Sequence, residues 1–309
     1  MQSPSAALQP PPTEELQAAV LDWYRAGGRV LGFRMTRDPY AILVSETMAQ
    51  QTQIARVVGY WRAFLERFPT FEALAAASTA DVLRAWQGLG YDRRALNLLR
   101  CARIVVAELG GKLPSEVAAL ERLPGIGPYT ARAVVALAFD RPAGAVDVNV
   151  RRVLSRIAGG PESGSMSRAA VQAMADALVP LDRPGEWTHA VMDVGATFCR
   201  ARAPRCPACP AKAFCRYAAS ADVVDAPRSI GRRGTSATPA VPFTSTTRWL
   251  RGRILDRLRA TEDHTWVAFS GGMGTHPRPA VEAALVALAR EGMIELRTAD
   301  PPAARLATA

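Results

Sequence analysis

Four cysteines within one short stretch restrict this chain more than any other feature of its sequence. They lie in CRARAPRCPACPAKAFC, with six, two and five residues between neighbours: Cys199, Cys206, Cys209 and Cys215. The N-terminus, MQSPSAALQPPPTEE, has no basic region followed by an apolar core, so we interpret the chain as cytosolic and disfavour disulfides. A C-x2-C pair among four thiols indicates a zinc site or an iron–sulfur cluster. The spacing alone leaves both open.

Residues 14–217 carry helical signals almost throughout. Apolar residues recur at helical spacing in QAAVLDWY, ARVVGYWRAFLERF and DVLRAW, and breakers fall at GLGYD, GGKLP, LPGIGP and RPAG. No segment there alternates apolar and polar residues as a half-buried strand would. We therefore predict a mainly α fold, in which Cys101 is an inert core residue on an apolar helix face.

The two ends of the chain differ from this helical region. Residues 1–12 are rich in Pro and Ser and are predicted to be a disordered leader, and residues 218–245 have the composition of a linker. Residues 246–309 then follow the order helix, short apolar run, helix and hairpin, which predicts a small winged-helix-like domain. Five arginines crowd its first helix, so we expect the domain to add non-specific DNA affinity without reading a base.

The segment LPGIGPYTARAVVALAF places two glycines and a proline directly before a helix. Gly125 and Gly127 permit positive φ and close approach to the backbone, and Pro128 suits the first turn of a helix. The amides at such a helix start point outward with the positive end of the helix dipole. The pattern predicts either a plain helical corner or a site for an anion.

The charge of the chain favours a polyanionic partner. The formal net charge is +10 and the isoelectric point is near 10.0, which is typical of proteins that bind nucleic acid. No apolar run approaches the roughly 20 residues that a membrane-spanning helix requires. The sequence thus predicts a nucleic-acid partner and no membrane.

Two further motifs complete a resemblance to a known family. They are DPYAILVSETMAQQTQ (38–53) and VDVNVRR (146–152). Together with the glycine turn and the cysteines, in this order and across roughly residues 30–217, they make the chain similar to the MutY-type adenine DNA glycosylases. These are iron–sulfur members of the helix-hairpin-helix DNA glycosylase superfamily. The resemblance therefore favours a 4Fe–4S cluster over zinc.

The resemblance also implies the architecture and the activity. It implies a two-lobed core, with a six-helix lobe at 30–139 that holds the hairpin and a cluster lobe at 13–29 and 140–217. It implies a monomeric, cytoplasmic bacterial enzyme, nucleoid-associated through DNA. Its substrate would be double-stranded DNA containing adenine opposite 8-oxoguanine or guanine, and it would hydrolyse the N-glycosidic bond without cutting the strand.

Four residues match the catalytic positions of this family. Glu46 corresponds to the acid that protonates the leaving adenine at N7, and Asp147 to the carboxylate that stabilises the oxocarbenium-like transition state. From the residues alone, Asp147 could equally be a helix cap. Asn149 matches a residue that helps to orient this chemistry. Tyr129 stands where strand-cleaving relatives carry a lysine, and a tyrosine cannot form a Schiff base.

Further matches imply contacts with DNA. Arg34 corresponds to an adenine-pocket arginine, and Gly125 and Gly127 to a turn that holds a phosphate. A set of polar and aromatic residues would probe the duplex around the opposite base: Gln50, Gln51, Thr52 and Tyr91. We predict that these residues contact the DNA, in addition to the four catalytic residues.

The sequence departs from the family at several points. Ala49 replaces a leucine beside the glutamine pair, Val148 replaces a glycine, and His189 stands where Glu or Gln is usual. The NUDIX-like domain that reads 8-oxoguanine in this family is not evident. The alternatives are a thymine-mismatch glycosylase of the same superfamily and a non-catalytic, cluster-bearing DNA-binding regulator.

Overall fold

The structure is a computed structural model that describes residues 13–160, 166–220, 241–262 and 264–308. The predicted leader (1–12) and most of the predicted linker (221–240) lie outside these residues. The described helices and strands are, in chain order, α1 (Thr13–Gly27), α2 (Pro39–Ala49), α3 (Ile54–Arg67), α4 (Phe71–Ala75), α5 (Thr79–Ala85), α6 (Arg93–Leu109), α7 (Val117–Leu120), α8 (Pro128–Ala138), α9 (Val148–Gly159), α10 (Arg168–Ala177), α11 (Pro184–Thr197), α12 (Arg216–Ala219), α13 (Thr247–Arg259), β1 (Val267–Ala268), α14 (Arg278–Arg290), β2 (Ile294–Arg297) and β3 (Ala303–Leu306).

Local sequence explains where many of these helices begin and end. Side chains that accept hydrogen bonds from the first-turn amides cap five of them: Thr70, Ser78, Asp147, Ser167 and Thr246. Helix α8 begins at Pro128, the position that tolerates a missing amide hydrogen. Helix α6 ends at Leu109 and is followed by Gly110 with φ of 61°, a left-handed conformation that a glycine adopts without strain.

The mainly α prediction is confirmed. Between residues 13 and 220 the described chain contains helices and turns and no strand. The three short strands all lie in the C-terminal module (residues 241–308, as far as described), where they form one antiparallel sheet in the order β1-β3-β2. The predicted hairpin near the C-terminus is present as β2 and β3, with Ile294 opposite Leu306. None of the described helices is both long enough and apolar enough to cross a membrane.

By its contacts the chain divides into two compact units. The first contains the described residues of Met1–Glu46, Pro114–Arg122 and Ile126–Gly231. Its core is formed chiefly by α1, α9 and α11 and is filled by aliphatic side chains and one tryptophan: Leu16, Val20, Leu21, Val150, Val153, Leu154, Ile157, Trp187, Val191 and Val194. Three of the four clustered cysteines (199, 209 and 215) pack against this core. The cysteine segment is thus anchored to the core of the first unit.

The second unit contains the described residues of Thr47–Leu113, Leu123–Gly125 and Arg232–Ala309. Phe64 and Trp86 meet edge to face in its helical part, with ring centroids 5.8 Å apart. The C-terminal module belongs to the same unit: the Ala80 amide donates to the Ala307 carbonyl at 2.8 Å. The buried Arg259 of α13 also donates through Nε to the Leu83 carbonyl at 3.0 Å. The module is therefore packed on the helices that precede it.

These units divide the chain at other places than the predicted lobes. Residues 30–46, 114–122 and 126–139, predicted for the six-helix lobe, group with the first unit, and the C-terminal module groups with 47–113. The lobe boundaries at 30–139, 13–29 and 140–217 remain a prediction.

Candidate functional site

A buried carboxyl group and a half-buried phenol form the centre of the site in the first unit. Helix α2 is buried from Tyr40 to Met48, and within it Glu46 is only 8% exposed. Tyr129, the second residue of α8, donates its hydroxyl hydrogen to Glu46 Oε2 at 2.9 Å. Burial raises the pKa of the Glu46 carboxyl, against the opposing effects of this hydrogen bond and of the Arg34 charge. Such a carboxyl keeps its proton closer to neutral pH than an exposed glutamic acid does.

A second carboxylate, that of Asp147, lies at the start of α9. Its Oδ1 accepts from the backbone amides of Asn149 (2.8 Å) and Val150 (2.6 Å), so the helix-cap interpretation is correct. Its Oδ2 accepts from the Asn149 side-chain amide at 2.9 Å. The capping bonds fix the direction of the carboxylate, and its charge raises the pKa of Glu46. The Asp147 side chain therefore both caps α9 and raises the pKa of Glu46.

Asn149 also connects Asp147 to the cysteine segment. Arg152, one turn along α9, donates to Asn149 Oδ1 at 2.9 Å and to the carbonyl of Cys199 at 2.5 Å. Helices α9 and α11 approach closely here, since a Cβ on Gly195 would lie 2.8 Å from that of Asn149. The hydrogen bonds run without interruption from the Asp147 carboxylate to the backbone of the first clustered cysteine.

Arg34 is held by Asp193, which the sequence interpretation missed. Asp193 of α11 is fully buried, and its oxygens accept from Arg34 Nη1 at 3.0 Å and Nη2 at 2.9 Å. Arg29 donates to the same carboxylate through its backbone amide and its side chain. Burial alone would raise the pKa of Asp193, but the hydrogen bonds from Arg34 and Arg29 hold it below its usual value. A lone aspartate among apolar residues in AVMDVGA is the signal that could have identified it.

His189 lies one turn before Asp193 on α11. Burial, aided by the positive charges of Arg34 and Arg29, lowers the pKa of its imidazole to about 3. Its ring nitrogens make no hydrogen bond to any residue that the structure describes. The imidazole beside Arg34 is therefore neutral at physiological pH, and its nitrogens remain available to a ligand.

The four clustered cysteines share one environment. Cys199 follows α11, Cys206 begins a single 3₁₀ turn that Cys209 follows, and Cys215 caps α12. Burial raises the pKa of the Cys209 thiol to about 12, and the other three cysteines add to this by their charges. Within the described residues no three His, Cys, Asp or Glu side chains converge as the ligands of a single metal ion do. In a 4Fe–4S cluster each thiolate binds a different iron, so its sulfurs stand further apart than around zinc.

Arg156 supports an anionic group at these cysteines. Its guanidinium is buried, donates to Cys199 Sγ at 3.3 Å and to the Arg200 carbonyl at 2.8 Å, and lies over the Tyr217 ring. No carboxylate pairs with it in the part of the chain that the structure covers. A buried cation without a counter-charge is costly. Four thiolates on an iron–sulfur cluster supply that negative charge, so the residues present fit the group.

The residues predicted to probe the duplex lie in the second unit. Gln51 and Tyr91 both have left-handed backbones, with φ of 55° and 50°. Arg94 of α6 holds the loops that carry them, a role that the sequence interpretation missed. Its guanidinium donates to six acceptors, two in the last turn of α2 and four in these loops: the carbonyls of Thr47 and Met48, then those of Gln50, Leu89 and Gly90 and the hydroxyl of Thr52. Left-handed conformations in residues other than glycine are held only where the surroundings enforce them.

Gly125 and Gly127 of the hairpin segment differ in backbone conformation and in the space around them. Gly125 has φ of 81°, which disfavours any residue with a Cβ. Gly127 is exposed with nothing within 4 Å of a Cβ position, and α8 starts at the next residue. The start of α8 therefore offers backbone amides at an open surface.

Comparisons with known proteins indicate one superfamily of DNA repair proteins. The family model "HhH-GPD superfamily base excision DNA repair protein" matches residues 44–177. The chain is 42% identical to the adenine DNA glycosylase of Mycobacterium tuberculosis over 246 residues, which cover 79% of this chain and 78% of that one. It is 39% identical to the human adenine DNA glycosylase, covering 65% of this chain and 39% of the human one. Among solved structures, a thermostable thymine-DNA glycosylase aligns with a TM-score of 0.62 and 30% identity, covering 66% of this chain and 94% of that one.

Proposed function

The chain belongs to the helix-hairpin-helix superfamily of base excision DNA repair proteins, among its adenine DNA glycosylases, and we propose that it removes adenine opposite 8-oxoguanine or guanine. The substrate is double-stranded DNA, which a monomer binds, and the products are free adenine and an abasic site. The observation that carries this proposal is the buried Glu46 carboxyl. It accepts a hydrogen bond from Tyr129, and burial and the charge of Asp147 raise its pKa. Two carboxyl groups in different environments are what acid-assisted cleavage of a glycosidic bond requires.

The reaction divides between the two carboxyl groups. The adenine must leave the base stack to be reached. Glu46 transfers its proton to N7, the C1′–N9 bond breaks, and its electron pair leaves with the base. Asp147, fixed by its capping bonds and by Asn149, faces the positive charge that develops on the sugar. Water then adds to C1′ and gives its proton to a carboxylate, which leaves an abasic sugar.

Arg34 and His189 are the residues that we assign to the adenine pocket. The bidentate pair with Asp193 holds Arg34 in one orientation, so its remaining donors are preorganised for a base. The neutral imidazole of His189 can donate at one nitrogen and accept at the other, and adenine presents both kinds of group along its edges. Gly125, Gly127 and the start of α8 are assigned to a DNA phosphate.

The duplex around the opposite base would be probed by residues of the second unit: Gln50, Gln51, Thr52 and Tyr91. Arg94 fixes their loops, and Tyr91 has a partly exposed aromatic side chain that a base can contact. Ala49, next to Gln50, and Val148, next to Asp147, depart from the family. Nothing in the structure explains either replacement.

One experiment tests this function directly. Single-turnover excision is measured on four matched duplexes, with adenine opposite 8-oxoguanine, guanine or thymine, and thymine opposite guanine. We expect release of adenine from the first two only. Release of thymine from the last duplex alone would support the thymine-mismatch glycosylase, which the 30% identity to such an enzyme favours as the second candidate. No base release from any duplex would support the non-catalytic regulator.

We expect base removal without strand cleavage. An imine with the abasic sugar needs a primary amine, and the chain contains only two lysines, Lys112 and Lys212. The corresponding position carries Tyr129, whose pKa burial raises well above 10. Borohydride should therefore trap no covalent complex with the parent protein, whereas Tyr129→Lys should gain some trapping and strand cleavage. Tyr129→Phe is the control, and trapping of the parent or of this control would contradict the assignment.

We propose that Cys199, Cys206, Cys209 and Cys215 hold a 4Fe–4S cluster. When bound, such a cluster ties its four ligand segments into one structure, and the hydrogen bonds of Arg152 and Arg156 join that structure to α9. No step of base removal passes through it.

Replacing one of these cysteines should remove the cluster. We expect Cys209→Ser to lose bound iron, acid-labile sulfide and visible absorption, and to unfold at a lower temperature. The control is Cys101→Ser, which changes a buried thiol of α6 away from the clustered cysteines and should retain all three signals. Stoichiometric zinc in the purified parent protein, with no iron or sulfide after anaerobic preparation, would contradict the proposal.

A further inference from the structure

The second unit contains a cleft of about 860 Å³ that none of the catalytic groups lines. One wall carries Gln50, Gln51, Tyr91 and Arg94, which belong to the loops predicted to probe the duplex. The opposite wall is formed by α13 of the C-terminal module and the turn before it. The first helix of the module therefore faces the residues assigned to the opposite base, although it lies more than 150 residues further along the chain.

The closest contact across this cleft joins Arg248 to Tyr91. The Arg248 guanidinium lies 3.9 Å from the centroid of the Tyr91 ring, and its Nη1 donates to the Tyr91 hydroxyl at 2.7 Å. On its other side it lies 5.7 Å from the Phe243 ring. A planar guanidinium stacked on an aromatic face is held by cation–π attraction as well as by its hydrogen bond. Arg248 thereby fixes the position of the Tyr91 ring.

Tyr91 is a residue whose position needs such support. Its backbone is left-handed, and its side chain is 36% exposed at the mouth of the cleft. Arg94 restrains the backbone of this loop through Leu89 and Gly90 but makes no hydrogen bond to the Tyr91 hydroxyl. Among the described residues, Arg248 is the one that binds this hydroxyl. Arg94 also lies 5.5 Å from the centroid of the Tyr91 ring, so α6 contacts both the loop and the ring, and α13 adds the hydrogen bond to the hydroxyl.

The charges in the cleft favour an anionic occupant. Its acids are already neutralised, since Asp92 pairs with Arg259, and Asp256 with Arg253 and Arg259. In the described part of the chain, Arg248 and Arg93 have no carboxylate partner. Exposed aromatic rings beside unpaired arginines are the combination that proteins use to bind a nucleic-acid strand. The occupant that fits is a DNA strand, with its phosphates toward the arginines and a base against Tyr91.

We propose that this cleft binds the strand opposite the excised adenine and that Arg248 is a positioning residue, which sets Tyr91 against the opposite base. The C-terminal module then contributes to the choice between 8-oxoguanine and guanine. The arginine content alone led us to expect only non-specific DNA affinity from the module. The contact with Tyr91 argues for more, because it restrains the ring and does not merely add charge.

The test uses the full-length protein and rests on the proposed function. The readout is the ratio of single-turnover excision rates for adenine opposite 8-oxoguanine and opposite guanine, at saturating enzyme. We expect Arg248→Ala to lower this ratio roughly tenfold, about what a well-formed cation–π contact contributes. Arg248→Lys should lower it similarly while retaining the salt dependence of DNA binding, because lysine keeps the charge but not the planar stacking.

A matched control comes from the same helix. Arg257 is an exposed arginine of α13 that contacts Ala268 and Phe269 inside the module and does not line the cleft. Arg257→Ala should leave the ratio unchanged. Thermal unfolding, followed by circular dichroism, verifies that each variant is folded. A variant that merely loosened the module would change DNA affinity without changing the ratio of excision rates.

A double-mutant cycle separates positioning from direct contact. If Arg248 acts through Tyr91, the Tyr91→Ala/Arg248→Ala double variant should have the same ratio as Tyr91→Ala alone. A further decrease in the double variant would overturn the positioning role. A parent protein that excises adenine, with an unchanged ratio in Arg248→Ala, would overturn this inference and leave the proposed function intact. A parent that excises no adenine would instead refute the function.

Discussion

Replacing Glu46 by glutamine should lower the single-turnover rate of adenine excision by roughly 10²–10⁴-fold, the usual contribution of a general acid. The glutamine amide can still accept the hydrogen bond from the Tyr129 hydroxyl, so the local packing should survive. It cannot give a proton to the leaving base. DNA binding, measured by fluorescence anisotropy on a duplex with adenine opposite 8-oxoguanine, should remain nearly unchanged. A near-normal rate in this variant would show that another group is the acid.

The pH dependence of the parent follows from the same carboxyl. Burial raises the pKa of Glu46 above its ordinary value of 4.5, so excision should slow as the pH rises through that raised pKa and the acid form is lost. The residual excision rate of Glu46→Gln should not show this decline with rising pH. Asp147→Asn should also be slow but should retain the decline, because the proton donor is still present.

Glu46→Gln should raise the stability of the protein although it lowers the activity. A carboxyl with a raised pKa in the folded state binds more protons there than in the unfolded chain, so it costs stability as the pH rises above 4.5. Glu46→Gln should therefore melt at a higher temperature than the parent at neutral pH. The difference should disappear in acid, where Glu46 is protonated in both states.

Replacing Asp193 by asparagine should destabilise the protein by about 3–5 kcal/mol, because it removes the charge of a fully buried carboxylate and leaves Arg34 without its counter-ion. The measurement is the urea midpoint of equilibrium unfolding. The same change should release Arg34 from its fixed orientation and slow excision. As the pH falls through the lowered pKa of Asp193, the parent should lose this stabilisation, whereas Asp193→Asn should not.

A matched control for this variant lies in the same unit. Glu186, also on α11, forms a bidentate pair with Arg25, but both side chains are partly exposed to solvent. Glu186→Gln removes the same charge and should cost only about 0–1 kcal/mol, as exposed pairs do. Equal midpoints for the two variants would contradict the assignment of Asp193 as the group that holds Arg34.

Much of the fold follows from short stretches of sequence. Helical spacing and the breakers predicted the mainly α core. The end of α6 and the start of α8 lie beside the glycines and the proline that were expected to set them. The C-terminal hairpin was likewise predicted and is present as β2 and β3. The grouping of the C-terminal module with residues 47–113 was not predicted, because packing depends on surfaces whose complementarity local patterns do not encode.

The candidate site was predicted in its residues but not in its contacts. The resemblance to a family drew attention to Glu46, Asp147 and Tyr129, since a glutamate in an apolar helix has no distinguishing local feature of its own. Asp193 and Arg94 were missed, because each acts on groups far away in the sequence: Asp193 binds arginines about 160 residues distant. Their importance becomes visible only through the partners that they contact.

By itself the sequence determined the properties that need only neighbouring residues. These are the positions at which helices start and stop, the cysteine spacing that suits a cluster, the positive net charge, and the lack of a lysine at residue 129. The tertiary structure alone decided which polar groups are buried and what they face. It joins Tyr129 to Glu46 across 83 residues and Arg248 to Tyr91 across 157. The physical reason is that backbone conformation depends on local sterics and hydrogen bonds, whereas a pKa or an ion pair depends on the groups that folding brings within a few ångströms.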